Sequence, residues 1–130
     1  MNSLNKYSPY VLALLRIIAA YMFLLHGTDK VFGMPAVFGQ QPLFSLFGIG
    51  GVIEIIGGVL LILGLFTRPV AFILSGQMAV AYFYVHASAA NVLLPILNGG
   101  ELAALYSLVF LFFFVHGAGA FALDNKLAKK

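Results

Sequence analysis

Glu54 stands alone in a long apolar stretch, Phe44 to Leu65, in which no other side chain is ionisable. A carboxylate in such surroundings must be paired, or must take up a proton, because burying an isolated charge is costly. Arg16 is similarly set in the apolar stretch Tyr10 to Phe32, which carries His26 and Lys30 near its end. Gln77 interrupts a third apolar stretch, and Glu101 opens a fourth. The chemistry available to this set is narrow. A carboxylate moves protons, imidazoles do the same, and guanidinium, ammonium and amide groups orient the oxygens of a ligand.

The elements that must hold these groups follow from composition. Of 130 residues 62% are apolar and only 8% charged, with thirteen Phe and six Tyr, whereas soluble domains carry roughly 25% charged residues. Mean hydropathy is +1.04. Four segments, at 10–32, 44–65, 69–87 and 101–123, reach the roughly 20 helical residues needed to cross about 30 Å of hydrocarbon. Continuous apolar runs, not alternating ones, predict helices and exclude a β-barrel. The expected fold is an all-α, single-domain membrane protein, an antiparallel up-down bundle of four transmembrane helices.

Arg16 breaks the first apolar run and no cleavage pattern follows it, so this span reads as retained and not as a signal peptide. Lys6, Arg68, Lys126, Lys129 and Lys130 fall on one side of the bundle and Lys30 alone on the other, which places both termini in the cytoplasm. The basic residues are dispersed, so the formal charge of +3 is no nucleic-acid signature. With no cysteine, the chain offers no disulfide, thiolate metal site or thiol relay. No phosphate-binding glycine loop, nucleophile elbow or zinc-protease helix is present.

Helical geometry orders the polar groups by depth. Glu54 lies ~17 Å from the cytoplasmic boundary and Arg16 ~9 Å from it, roughly one turn deeper toward the cytoplasm, a gap that two long side chains can close. An Arg16–Glu54 pair is therefore the leading expectation; a neutral Glu54 that donates or relays a proton is the competing one. Glu54 shares its face with Gly50, Gly51, Gly57 and Gly58, a pattern that brings helices close whether or not a ligand binds. Gln77 falls between the two depths, where an amide ordinarily links helices. His116 reads as structural.

Toward the opposite boundary His26, Lys30, His86 and Glu101 converge in depth and form the best candidate pocket mouth. Two histidines with a carboxylate suit a divalent metal, and two alone suit a haem. The face of His86 turns away from Gln77 and Tyr84, so neither is expected. Interfacial histidines, a snorkelling Lys30 and a Glu101 that complements its helix dipole are the ordinary readings of the same residues.

The residues also resemble a family. His26-Gly27-Thr28-Asp29-Lys30, Glu54-Ile55-Ile56-Gly57-Gly58, Gly64-Leu65-Phe66-Thr67-Arg68, Asn98-Gly99-Gly100-Glu101 and Gly117-Ala118-Gly119 before Asp124 occur in an order similar to that of the DoxX family of small bacterial inner-membrane proteins. Gly117-Ala118-Gly119 departs from the Gly-Pro-Gly common in that family. The resemblance implies a relation to the membrane subunit of thiosulfate:quinone oxidoreductase, and an association of some members with oxidative-stress and thiol-redox complexes. Matching polar positions are Arg16, His26, Lys30, Glu54, Arg68 and Glu101.

Two functions are expected from these readings. In the first, the chain is a quinone-interacting subunit of an oxidoreductase and not a complete enzyme. Glu54 handles protons, while Arg16, His26, Lys30, Gln77 and Glu101 contact the ligand, and a redox partner protein supplies electrons. In the second, the bundle is a non-catalytic scaffold for a partner complex, specified by glycine packing and ion pairing. Small-solute transport is a weaker third reading, since four spans make a pathway only in a homo-oligomer.

Overall fold

The structure, a computed structural model, describes residues 2–128. Lys129 and Lys130, used above for orientation, lie outside the described residues. A short 3-10 segment, Asn2–Tyr7, leads into α1 (Ser8–Phe32), followed by α2 (Leu46–Leu63), α3 (Thr67–Ala81), α4 (Pro95–Asn98), α5 (Glu101–His116) and α6 (Leu123–Ala128). A wider π turn, Tyr82–His86, extends α3. No strand occurs among the described residues.

Local chemistry explains the helix limits. Pro9 stands in the first turn of α1, where its missing N–H costs nothing. Gly33 ends that helix at φ 71° and Gly64 ends α2 at φ 66°, a left-handed conformation that disfavours other residues. Ser45 begins α2, its hydroxyl accepting from the Gly48 N–H at 3.1 Å.

Among the described residues three helices are long and apolar enough to cross a membrane: Ser3–Phe32, Leu46–Leu63 and Thr67–His86. The apolar α5 has 16 residues. It does not continue to Leu123 as the sequence predicts. After His116 the backbone takes positive φ at Gly117 (99°), Gly119 (79°) and Phe121 (54°), breaking the helical ladder and turning carbonyls inward.

Helices α1 and α2 approach through glycine. A Cβ on Gly27 would lie 2.7 Å from the Gly51 carbonyl oxygen, and one on Gly58 would lie 3.2 Å from that of Ala20. Helices α3 and α5 are joined by a reciprocal pair of bonds: the Ser75 hydroxyl donates to the Ser107 carbonyl at 2.8 Å, and the Ser107 hydroxyl to the Ser75 carbonyl at 2.9 Å. Phe23 of α1 closes the bundle against α5, with ring centroids 5.0 Å from Phe110 and 5.3 Å from Tyr106, both edge-on.

The outward surface is apolar, with Leu14, Phe72, Val80 and Leu108 exposed while Arg16, Asp29 and Glu54 are buried. That inversion suits hydrocarbon as the surrounding medium. The start of α1, the segment after α5 and the α2–α3 joint share one end, tied by the bonds Ala120 N–H to Pro9 carbonyl (3.1 Å) and Asp124 N–H to Gly64 carbonyl (2.9 Å). The α1–α2 and α3–α5 loops share the other.

Candidate functional site

Near the loop end, α1, α2, α3 and α5 leave a cavity of about 400 Å³, within the range of small-molecule sites. Phe23, Phe47, Met78, Leu102 and Ala103 make its walls apolar. Its polar lining comes from His26, Lys30, Gln41, Glu54, His86 and Tyr106.

Lys30 and Glu54 form an ion pair, Nζ to Oε1, at 2.7 Å. It is possible because α1 and α2 touch at Gly27 and Gly51, which lets the Lys30 side chain run along α2 toward Glu54. A Cβ on Gly51 would stand only 2.9 Å from the Cβ of Lys30. The Gln77 amide donates to Glu54 Oε1 at 3.4 Å and to the Gly50 carbonyl at 3.3 Å. The second carboxylate oxygen, Glu54 Oε2, is buried without a hydrogen-bond partner, as are Gln77 Oε1 and the Tyr106 hydroxyl.

The expected Arg16–Glu54 pair does not form. The Arg16 side chain is fully buried, and its N–H groups donate to backbone: Nε to Leu61 (2.8 Å), one terminal nitrogen to Ala118 and Ala120, the other to Phe121 (3.0 Å) and Ile62 (3.5 Å). Leu61 is seven residues beyond Glu54, about 10 Å along a helix axis. The depth count thus errs by roughly a turn, because the glycine contacts set a different register between α1 and α2. Arg16 ties the end of α2 to the segment after α5 and does not line the cavity.

Other predicted residues divide in the same way. His26 and His86 line the cavity with Lys30, and the His26 ring stands edge-on to Tyr106 at 6.1 Å. Glu101 is exposed in the first turn of α5 and does not line it. His116 stacks on Phe112 at 5.4 Å, and its carbonyl accepts from Arg68 at 3.3 Å. Among the described residues no three of His, Asp and Glu gather as a metal site.

Two residues escaped the sequence reading. Asp29, buried in the last turn of α1, accepts from the N–H groups of Ala36 (2.7 Å), Val37 (2.9 Å), Phe38 (2.8 Å) and Gly39 (3.3 Å). It folds the loop whose Phe38 and Gln41 wall the cavity. An aspartate just before a Gly- and Pro-containing loop is a recognisable signal for such a turn. Tyr106 is masked by the aromatic run of α5; a hydroxyl one turn before Phe110, on the same face, is its only mark.

Comparison with known proteins bears on the same segments. The family model described as DoxX matches residues 11–87, which hold Lys30, Glu54 and Gln77 but not Tyr106. A Haemophilus influenzae protein, described as an uncharacterized protein, is 58% identical over 134 aligned positions that cover all of both chains. No solved structure matches.

Proposed function

The chain belongs to the DoxX family, and we propose that it is a quinone-interacting membrane subunit whose ligand head group enters the cavity between α1, α2, α3 and α5. The observation that carries this reading is the buried Glu54 carboxylate, paired on one oxygen and free on the other, at the wall of a mostly apolar cavity. An aromatic head group suits the Phe23, Phe47 and Met78 walls, and its oxygens suit Lys30, His26 and Tyr106.

In this reading α5 is the fourth span, and the bundle lies in the bacterial inner membrane with both termini cytoplasmic. Lys6, Arg68 and Lys126 are at the terminal end and Lys30 is at the other. Converting a quinone to its quinol takes two electrons and two protons. The chain has no cysteine, so a redox partner protein supplies the electrons, and Glu54 with His26 exchanges the protons.

Mass spectrometry of gently purified protein should find stoichiometric quinone, and the double variant Glu54→Gln, His26→Ala should lose it. Unchanged quinone content in that variant would overturn the assignment. A second reading, a scaffold for a partner complex, is favoured by the Arg16 and Asp124 contacts that brace the terminal end of the bundle. It expects no bound quinone, and a partner protein whose capture survives the loss of Glu54.

A further inference from the structure

Three buried oxygens around the Lys30–Glu54 pair have no hydrogen-bond partner: Glu54 Oε2, Gln77 Oε1 and the Tyr106 hydroxyl. Glu54 and Tyr106 are both more than nine-tenths buried, and both line the cavity described above. Each orphaned group carries a desolvation cost that a ligand would relieve.

The kind of ligand follows from what these atoms can do. Glu54 Oε1 faces the Lys30 ammonium at 2.7 Å, so the group is a carboxylate and its free Oε2 only accepts. Gln77 Oε1 also only accepts, and its orientation is determined: turning the amide over would set its oxygen against the Gly50 carbonyl and Glu54 Oε1, both of which now receive the N–H₂. The Tyr106 hydroxyl both donates and accepts. This pole is therefore short of donors.

We infer that Glu54 Oε2 and Tyr106 together take up a ligand hydroxyl, and that the site binds the reduced, hydroxyl-bearing form of an aromatic head group in preference to the oxidised, carbonyl form. The hydroxyl donates to Glu54 Oε2 and accepts from Tyr106. A carbonyl at the same place accepts from Tyr106 but sets a lone pair against the carboxylate. Tyr106 is thereby a ligand-binding residue supplied by α5, beyond the segment that the family model matches. The inference rests on the quinone-binding reading and adds a direction to it: of the two redox forms, the site favours the quinol.

The test is an anaerobic titration of the wild-type protein in nanodiscs with a short-chain benzoquinone and, separately, with the hydroquinone made by reducing it. The hydroquinone should bind about tenfold more tightly, since hydrogen bonds to charged groups are among the stronger ones. A tenfold preference raises the two-electron potential of the bound couple by about 30 mV, which redox titration reads independently. Glu54→Gln, whose amide can turn a donor toward the ligand, should narrow or reverse the preference, and Tyr106→Phe should weaken hydroquinone binding. Equal or tighter binding of the quinone would overturn this inference and leave the quinone-binding reading standing. Binding of neither would remove both. A preference unaltered in both variants would overturn its assignment to Glu54 and Tyr106.

Discussion

Lys30 and Glu54 meet at 2.7 Å with unequal burial: the carboxylate side chain is 1% exposed, whereas the lysine keeps 24% of its surface. The lysine therefore links the outside of the cavity to a carboxylate that has no other cation within salt-bridge distance among the described residues. Removing it by Lys30→Met leaves a buried, unpaired Glu54 and should destabilise the bundle by about 3 kcal/mol. The double variant Lys30→Met, Glu54→Leu should recover much of that loss. Thermal melting of the four proteins of this cycle in detergent measures the coupling, and additive losses would show the pair to be energetically idle.

Arg16 should behave as a structural residue. Its five bonds go to the carbonyls of Leu61, Ile62, Ala118, Ala120 and Phe121, and an ammonium group has three donors. Arg16→Lys should cost about 2 kcal/mol or more while leaving quinone affinity in the folded fraction unchanged. A selective loss of ligand, with melting temperature preserved, would contradict this.

Asp29→Asn tests the loop that walls the cavity. The amide keeps one accepting oxygen where the carboxylate has two, and four N–H groups now share those two. A loss of about 1–3 kcal/mol in local stability is expected. Hydrogen exchange should speed up at residues 36–39 and not in α3.

Asp124 makes stability depend on acidity at the terminal end. Partial burial pulls its pKa up, but the N–H groups of Thr67 and Phe66 and the positive Arg16 outweigh that and hold it below the ordinary 3.8. The unfolded chain then binds the proton more readily. The stabilisation is complete above the ordinary carboxylate value and is lost as pH falls through the lower folded value. Melting temperature should drop in that acid window, and Asp124→Asn should flatten the drop.

Gly27→Ala should be among the most damaging small substitutions. Its methyl would meet the Gly51 carbonyl at 2.7 Å and the Glu54 Cβ at 2.9 Å, neither of which is the far end of a flexible side chain. Helices α1 and α2 must part, stretching the Lys30–Glu54 pair. Gly76→Ala, with nothing within 4 Å of its Cβ, is the matched control and should be neutral or slightly stabilising.

Most of the helices were legible from residue types alone, because apolar continuity and glycine punctuation are properties of the chain in one dimension. The ends of α1 and α2 are written as Gly33 and Gly64, and the start of α2 as Ser45. The end of α5 was not legible. Nothing in the apolar run through Leu123 stops a helix outright, and the turn at Gly117 is held by carbonyls that bond to Arg16, 102 residues away for Ala118.

Residue types and helical period were likewise enough to single out Arg16, His26, Lys30, Glu54 and Gln77 as groups that hydrocarbon would not tolerate unpaired. Which cation neutralises Glu54 was decided only in three dimensions. That choice depends on the register between α1 and α2, which is set where Gly27 meets Gly51 and Gly58 meets Ala20. A shift of one turn exchanges Lys30 for a residue nearer Arg16, and periodicity within a single helix carries no information about that shift.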